Sequence, residues 1–121
     1  MLNCLVVGLG GAAGAVARYL IGLIPVASGS AFPYKTFIIN ILGAFAIGLL
    51  AAYTGKYFAA DSRLLLFLKV GICGGFTTFS TFALESANLF ADGRSGVALA
   101  YIIGSAVLGI LAVFAAGALV K

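Results

Sequence analysis

Histidine is absent from the 121 residues, which removes the usual metal ligand and the usual general base. Acids are scarce: Asp and Glu total 3, and none precedes Asp61. Cysteine occurs twice, at Cys4 and Cys73, too far apart and too unlike in setting for a disulfide or a CxxC site. Both read as buried, reduced thiols. Charged residues make up only 8% of the chain, and the formal charge of +4 contains no basic run of the kind that binds nucleic acid. No nucleophile is paired with a base, and no carboxylates form a catalytic pair, so the chain does not read as an enzyme. Internal repeats and low-complexity tails are lacking as well.

What is present is apolar surface. The chain is 64% hydrophobic, more than a soluble domain of this size can hide, so the bilayer must be its solvent. Short polar breaks divide residues 1–121 into four candidate spans forming one transmembrane domain. They cover about 2–24, 36–53, 64–90 and 96–120, separated by Pro25 with Ser28-Gly29-Ser30, by the Lys56–Arg63 stretch, and by Asp92-Gly93-Arg94. The first segment has no basic leader before it and regains apolar character after Arg18, so it reads as a retained span and not a cleaved signal. Tyr34, Tyr53 and Tyr57 fall at span ends, where an interfacial aromatic belt would place them.

The third segment is unusual. At ~1.5 Å per residue it would reach ~40 Å, against a hydrocarbon core of roughly 30 Å. Its centre carries Gly74-Gly75-Phe76-Thr77-Thr78-Phe79-Ser80-Thr81-Phe82, a polar, glycine-rich string of poor helix formers. Backbone that leaves a helix at membrane depth is tolerated only where protein buries it or it lines a water-filled path. An interrupted third helix is therefore expected, with carbonyls of Gly74 to Thr78 left unpaired at the break. Hard cations prefer such oxygens.

Other polar residues fall into a pattern. Asn40 is the strongly polar side chain inside the second span, with Thr36 one turn before and Gly43 roughly one turn after. It reads either as a plain interhelical hydrogen-bond partner or as a donor facing a permeation path. Phe79 and Phe82, three apart, share a face if the helix resumes after the break, and ring rims can meet an anion edge-on. Glu85 is an intramembrane acid, either a proton or cation site or a paired structural carboxylate. Tyr101 and Ser105 place hydroxyls one turn apart on the fourth span. Arg18 reads as a snorkelling side chain or as the cation of an anion-attracting vestibule. Gly10 and Gly14 form a GxxxG pair suited to close packing, within one subunit or at a dimer seam. The neighbouring Gly8-Leu9-Gly10-Gly11-Ala12-Ala13 imitates a dinucleotide fingerprint, but no βαβ unit and no acid about 20 residues on support it.

Positive charge barely distinguishes the two sides of the membrane. One side carries Lys56, Arg63 and Lys121, with Lys69 just inside; the other carries Lys35 and Arg94, with Arg18 just inside. So small a bias allows insertion in both orientations, and a chain inserted both ways can form an antiparallel homodimer.

The stretch GGAAGAVARY at 10–19, Thr36 with the IIN run ending at Asn40, and GGFTTFSTF at 74–82 with Glu85 resemble the Fluc/CrcB family of fluoride channels. The resemblance covers essentially the whole chain. It implies an all-α membrane protein of four transmembrane helices, assembled as an antiparallel dual-topology homodimer in the cytoplasmic (inner) membrane, in contact with membrane lipid. It implies passive export of fluoride, protecting against fluoride toxicity, with no organic cofactor. The fluoride path is then expected at Asn40, Phe79, Phe82, Ser80 and Thr81, with a polar track of Tyr101, Ser105 and Glu85, and Arg18 at the vestibule. The carbonyls of Gly74 and Thr77 are expected to hold a sodium ion at the dimer centre. Gly109 and Lys35 depart from the family pattern, which touches the outer end of the track. Two rival readings are a small proton-coupled multidrug exporter, expected to carry an acid in its first span, and a membrane assembly subunit without transport.

Overall fold

The computed structural model describes residues 1–26 and 29–121, which form an all-α membrane protein with four helices long and apolar enough to cross a bilayer. The first is α1, Leu2–Gly22. It stops short of Ile24 because Leu23 and Ile24 wind into a turn on the carbonyls of Tyr19 to Ile21, and Pro25 disfavours a helical residue before it. Of the Ser28-Gly29-Ser30 loop, Ser28 lies outside the described residues, and Gly29 adopts a positive φ of 113°. The second span, α2, is Tyr34–Tyr53, entered directly after Pro33. The Lys35 ammonium donates to the Gly22 carbonyl at 2.7 Å, tying the start of α2 to the end of α1.

The third span, Arg63–Ala91, is built from unlike pieces. A short turn, α3 (Arg63–Leu65), is capped by Ser62, whose hydroxyl accepts from the Leu65 amide. A π-helical stretch follows over Leu66–Cys73, and then the turn α4, Gly74–Phe76. Thr77 (φ −79°, ψ 156°) and Thr78 (φ −147°, ψ 112°) are extended. The helix α5 then runs Phe79–Ala91. Gly74 and Gly75 are thus helical, and the extended residues are the two threonines. Gly93, at φ 75°, ends α5 in a left-handed turn, in which the Arg94 amide reaches back to the Leu89 carbonyl at 2.8 Å. The fourth span, α6, is Ser95–Leu119.

Helix α1 packs on the π stretch and α4, while α2 packs mainly on α6. The α1 contact is glycine on glycine. A Cβ on Gly10 would fall 2.9 Å from the Gly71 Cα, one on Gly14 would fall 2.8 Å from the Phe76 amide nitrogen, and one on Gly75 would fall 3.0 Å from the Gly11 Cα. Gly10 thus meets Gly71, Gly11 meets Gly75, and Gly14 sits on the Ile72 and Phe76 backbone, so the Gly10/Gly14 pair is spent inside the protomer, against the segment that carries a second GxxxG pair, Gly71 and Gly75. Away from that seam, Leu89, Ala98 and Tyr101 form a buried cluster covered by Phe32, Phe37 and Phe82. Cys4 is exposed and Cys73 buried, and both are free thiols, so the expectation of two buried cysteines fails at Cys4.

Candidate functional site: a clamped break in the third span

Three rungs join α2 to the third span, one per turn. The Thr36 hydroxyl donates to Glu85 Oε1, Asn40 bridges to Thr78, and Gly43 makes room for the Thr77 methyl, which a Cβ there would overlap. The spacing of Thr36, Asn40 and Gly43 on one helical face is what brings all three to the same partner.

The middle rung is a two-way clamp. Asn40 Oδ1 accepts from the Thr78 amide at 2.8 Å, and Asn40 Nδ2 donates to the Thr78 carbonyl at 3.1 Å. A side-chain amide carries both a donor and an acceptor, so Asn40 replaces the backbone partners that an extended residue loses at membrane depth. Thr78 also caps α5: its hydroxyl oxygen accepts from the Thr81 amide at 3.2 Å and meets the Thr81 hydroxyl at 2.9 Å. Ser80 stands at the weak end of this set, 3.5 Å from the Thr78 hydroxyl.

These bonds redirect two amides. In an unbroken helix the Thr78 amide would bond the Gly74 carbonyl, and the Thr81 amide would bond the Thr77 carbonyl. Asn40 takes the first and the Thr78 hydroxyl takes the second. The Gly74 and Thr77 carbonyls are thus released from their helical donors, a pair of hard oxygen acceptors that fits an alkali cation. The Gly75 carbonyl is not free, because Arg18 Nε donates to it at 3.2 Å. Arg18 therefore holds the turn that leads into the break as well as lining a cavity.

Two cavities meet at the break. The larger, about 480 Å³, is lined by Asn40, Thr77, Thr78, Phe79 and Phe82, and reaches Ser105 on α6 and Lys69 on the π stretch. The other, about 430 Å³, is lined by Arg18, Lys35, Thr36, Thr78 and Thr81. Thr78 borders both. The ring of Phe79 is 79% exposed and lies 5.7 Å from that of Phe82, which packs in turn 5.1 Å from Tyr101. Tyr101 is fully buried; its hydroxyl and that of Ser105 have no hydrogen-bond partner among the described residues. Glu85 is held by Thr36 and borders a separate pocket with Lys35, so it does not join the larger cavity.

Sequence reasoning left out the clamping role of Thr78, the Gly71/Gly75 half of the glycine seam, and the place of Lys69 on the cavity wall. Only the second had a usable signal, because Gly71 and Gly75 stand at GxxxG spacing in the sequence.

Known proteins are similar to this chain along nearly its whole length. A family profile described as "CrcB-like protein, Camphor Resistance (CrcB)" matches residues 5–117. A protein of Agrobacterium fabrum named "Fluoride-specific ion channel FluC" is 44% identical over 120 residues, covering 98% of this chain and 96% of that protein. Proteins with the same name from Rhizobium meliloti (43% over 122 residues, 100% and 98% covered) and Chlorobaculum tepidum (44% over 123 residues, 100% and 96% covered) are similarly close. The profile spans all four helices, including the clamped break, and on that match this chain belongs to the CrcB-like family.

Proposed function

We propose that this chain is a fluoride-selective channel through which fluoride leaves the cytoplasm passively, and that it is not an enzyme. The observation that carries this reading is the break at Thr77–Thr78, clamped by Asn40 and opening on a cavity walled by Phe79 and Phe82. The relatives named fluoride-specific ion channels, alike over nearly their whole length, support fluoride as the ion.

The chemistry suits a small, tightly hydrated anion. A selective path must replace water with close donors while still allowing release. After serving the Thr78 carbonyl, Asn40 keeps a second N–H for an ion at the cavity wall. The rims of the Phe79 and Phe82 rings carry partial positive charge that meets an anion weakly. The N-terminus of α5 lies at the same depth and adds its positive dipole end. An inside-negative potential assists export by ~2.3 kcal/mol per charge per 100 mV.

The active unit in this proposal is an antiparallel, dual-topology homodimer in the inner membrane. Two features support it. The cavity is open on one side, with Phe79 standing exposed, and a conducting path needs that side closed. Gly74 meets no neighbour within 4 Å where a Cβ would stand, which leaves its surface open to a second copy. The released carbonyls of Gly74 and Thr77 from each subunit would hold a sodium ion between them. Bound there, the ion would supply the positive charge that opposed carbonyl dipoles lack.

Fluoride efflux from liposomes containing only this protein tests the reading. Efflux without a proton gradient, with chloride retained, is expected. Proton-dependent drug exchange would favour the exporter reading instead, and silence in both assays would favour an assembly subunit.

A further inference from the structure

Lys69 lies on the π stretch and borders the same cavity as Asn40, Phe79 and Phe82. Among the described residues, no other ionisable side chain of either sign lines that cavity, Cys73 apart. It is half-buried, and no hydrogen bond or ion pair engages its ammonium among the described residues. The contrast with two other lysines is informative. Lys35 and Lys56 spend their ammonium groups on helix-end carbonyls, at 2.7 Å to Gly22 and 2.9 Å to Val120. Lys69 has no such partner.

A lysine that only snorkels to headgroups belongs on the lipid-facing side of its helix. Leu64 and Val70, each 51% exposed, mark an outward-facing side of this segment. Lys69 instead shares the cavity wall with Gly74 and Thr77. An ammonium at membrane depth is costly unless it meets water or a counter-ion, and a lone charge on a largely apolar wall projects its field far into the cavity. The second cavity, which meets the first at Thr78, carries Arg18 and Lys35 on the other approach. Each approach to the break is thus furnished with fixed positive charge.

We propose that Lys69 is an anion-capture residue of the permeation path, raising the local fluoride concentration ahead of the Phe79/Phe82 passage from the end opposite Arg18. The proposal rests on the channel reading and adds to it a residue that sets capture at low fluoride. Selectivity remains with Asn40 and the rings. The charge acts at long range and through water, so its effect shrinks with ionic strength, over a Debye length of about 8 Å in physiological salt.

The test is the rate of fluoride efflux from liposomes against fluoride concentration, for the wild-type protein, Lys69→Gln and Lys69→Arg, at low and high concentrations of an impermeant salt. Lys69→Gln is expected to raise the half-saturating fluoride concentration about three- to tenfold at low salt, with the difference shrinking at high salt and Lys69→Arg behaving as wild type. Lys69→Met, which keeps the apolar stem, serves as the neutral variant if Lys69→Gln does not purify as a single species. Equal half-saturation in wild type and neutral variant would overturn the proposal while leaving the channel reading intact. So would a lowered maximal rate at unchanged half-saturation, the mark of a structural role. A wild-type protein that passes no fluoride would overturn both.

Discussion

Asn40 acts in two directions at once, and this decides how its variants should behave. Asn40→Asp keeps the acceptor for the Thr78 amide but sets a carboxylate oxygen against the Thr78 carbonyl in place of a donor. It also puts negative charge on the wall of a cavity proposed to carry an anion. Fluoride efflux is expected to fall more than tenfold, with the folded protein also less stable by about 1–3 kcal/mol, the usual cost of stranding a buried polar group; liposome flux and thermal unfolding in detergent read the two effects separately. Thr78 separates capping from permeation. Thr78→Ser keeps the hydroxyl that accepts from the Thr81 amide, whereas Thr78→Val loses it, at an expected cost of about 1 kcal/mol. A matched pair of melting curves checks this, with Ser near wild type and Val lower. Asn40 stood out in the sequence because a lone amide in an apolar span demands a partner. Thr78 did not, because one threonine among several has no distinguishing mark until Asn40 selects it.

The elements show where glycine is required and where it is merely present. Gly75 sits against α1, where a Cβ would press on the Gly11 backbone, and backbone cannot rotate away as a side chain can. Gly74, one residue earlier, has open space on the protomer. Gly75→Ala is therefore expected to destabilise the single chain by about 1–3 kcal/mol through overpacking. Gly74→Ala should leave the protomer's helix packing intact. If two copies pair through their breaks, Gly74→Ala should instead weaken the dimer, seen as a monomer peak in size-exclusion chromatography in detergent. An unchanged dimer would argue against a seam at Gly74. The sequence announced glycine-mediated packing at Gly10 and Gly14 but not its partner, because GxxxG spacing describes one face of one helix. The π stretch was also hidden: its residues are mostly ordinary apolar ones with no mark of π winding, and it packs against α1.

At the scale of the whole molecule, positive charge is spread nearly evenly over the two proposed sides of the membrane, which is the ground for proposing insertion in both orientations. Reporter fusions at the C-terminus should reveal both orientations in the membrane, and a single orientation would rule out a dual-topology dimer. The proposed central cation gives a further check. Exchanging sodium for a bulky organic cation should lower the melting temperature of the detergent-solubilised dimer and slow fluoride efflux. Insensitivity of both would remove sodium from the assembly.

Hydropathy and spacing were enough to determine four spans, their approximate ends and the face shared by Thr36, Asn40 and Gly43. These follow from the solvent each residue prefers and from the period of the helix, both local properties of the chain. The sequence also marked the 74–82 string as unlike its surroundings. Tertiary structure alone decided that the threonines and not the glycines leave the helix, that Asn40 holds Thr78 by both backbone groups, and that Lys69 shares a cavity with Phe79 and Phe82. Those outcomes depend on which helix lies beside which. In a bilayer, where lipid and protein interiors are equally apolar, hydrophobicity does not choose between neighbours; close packing and hydrogen bonding do.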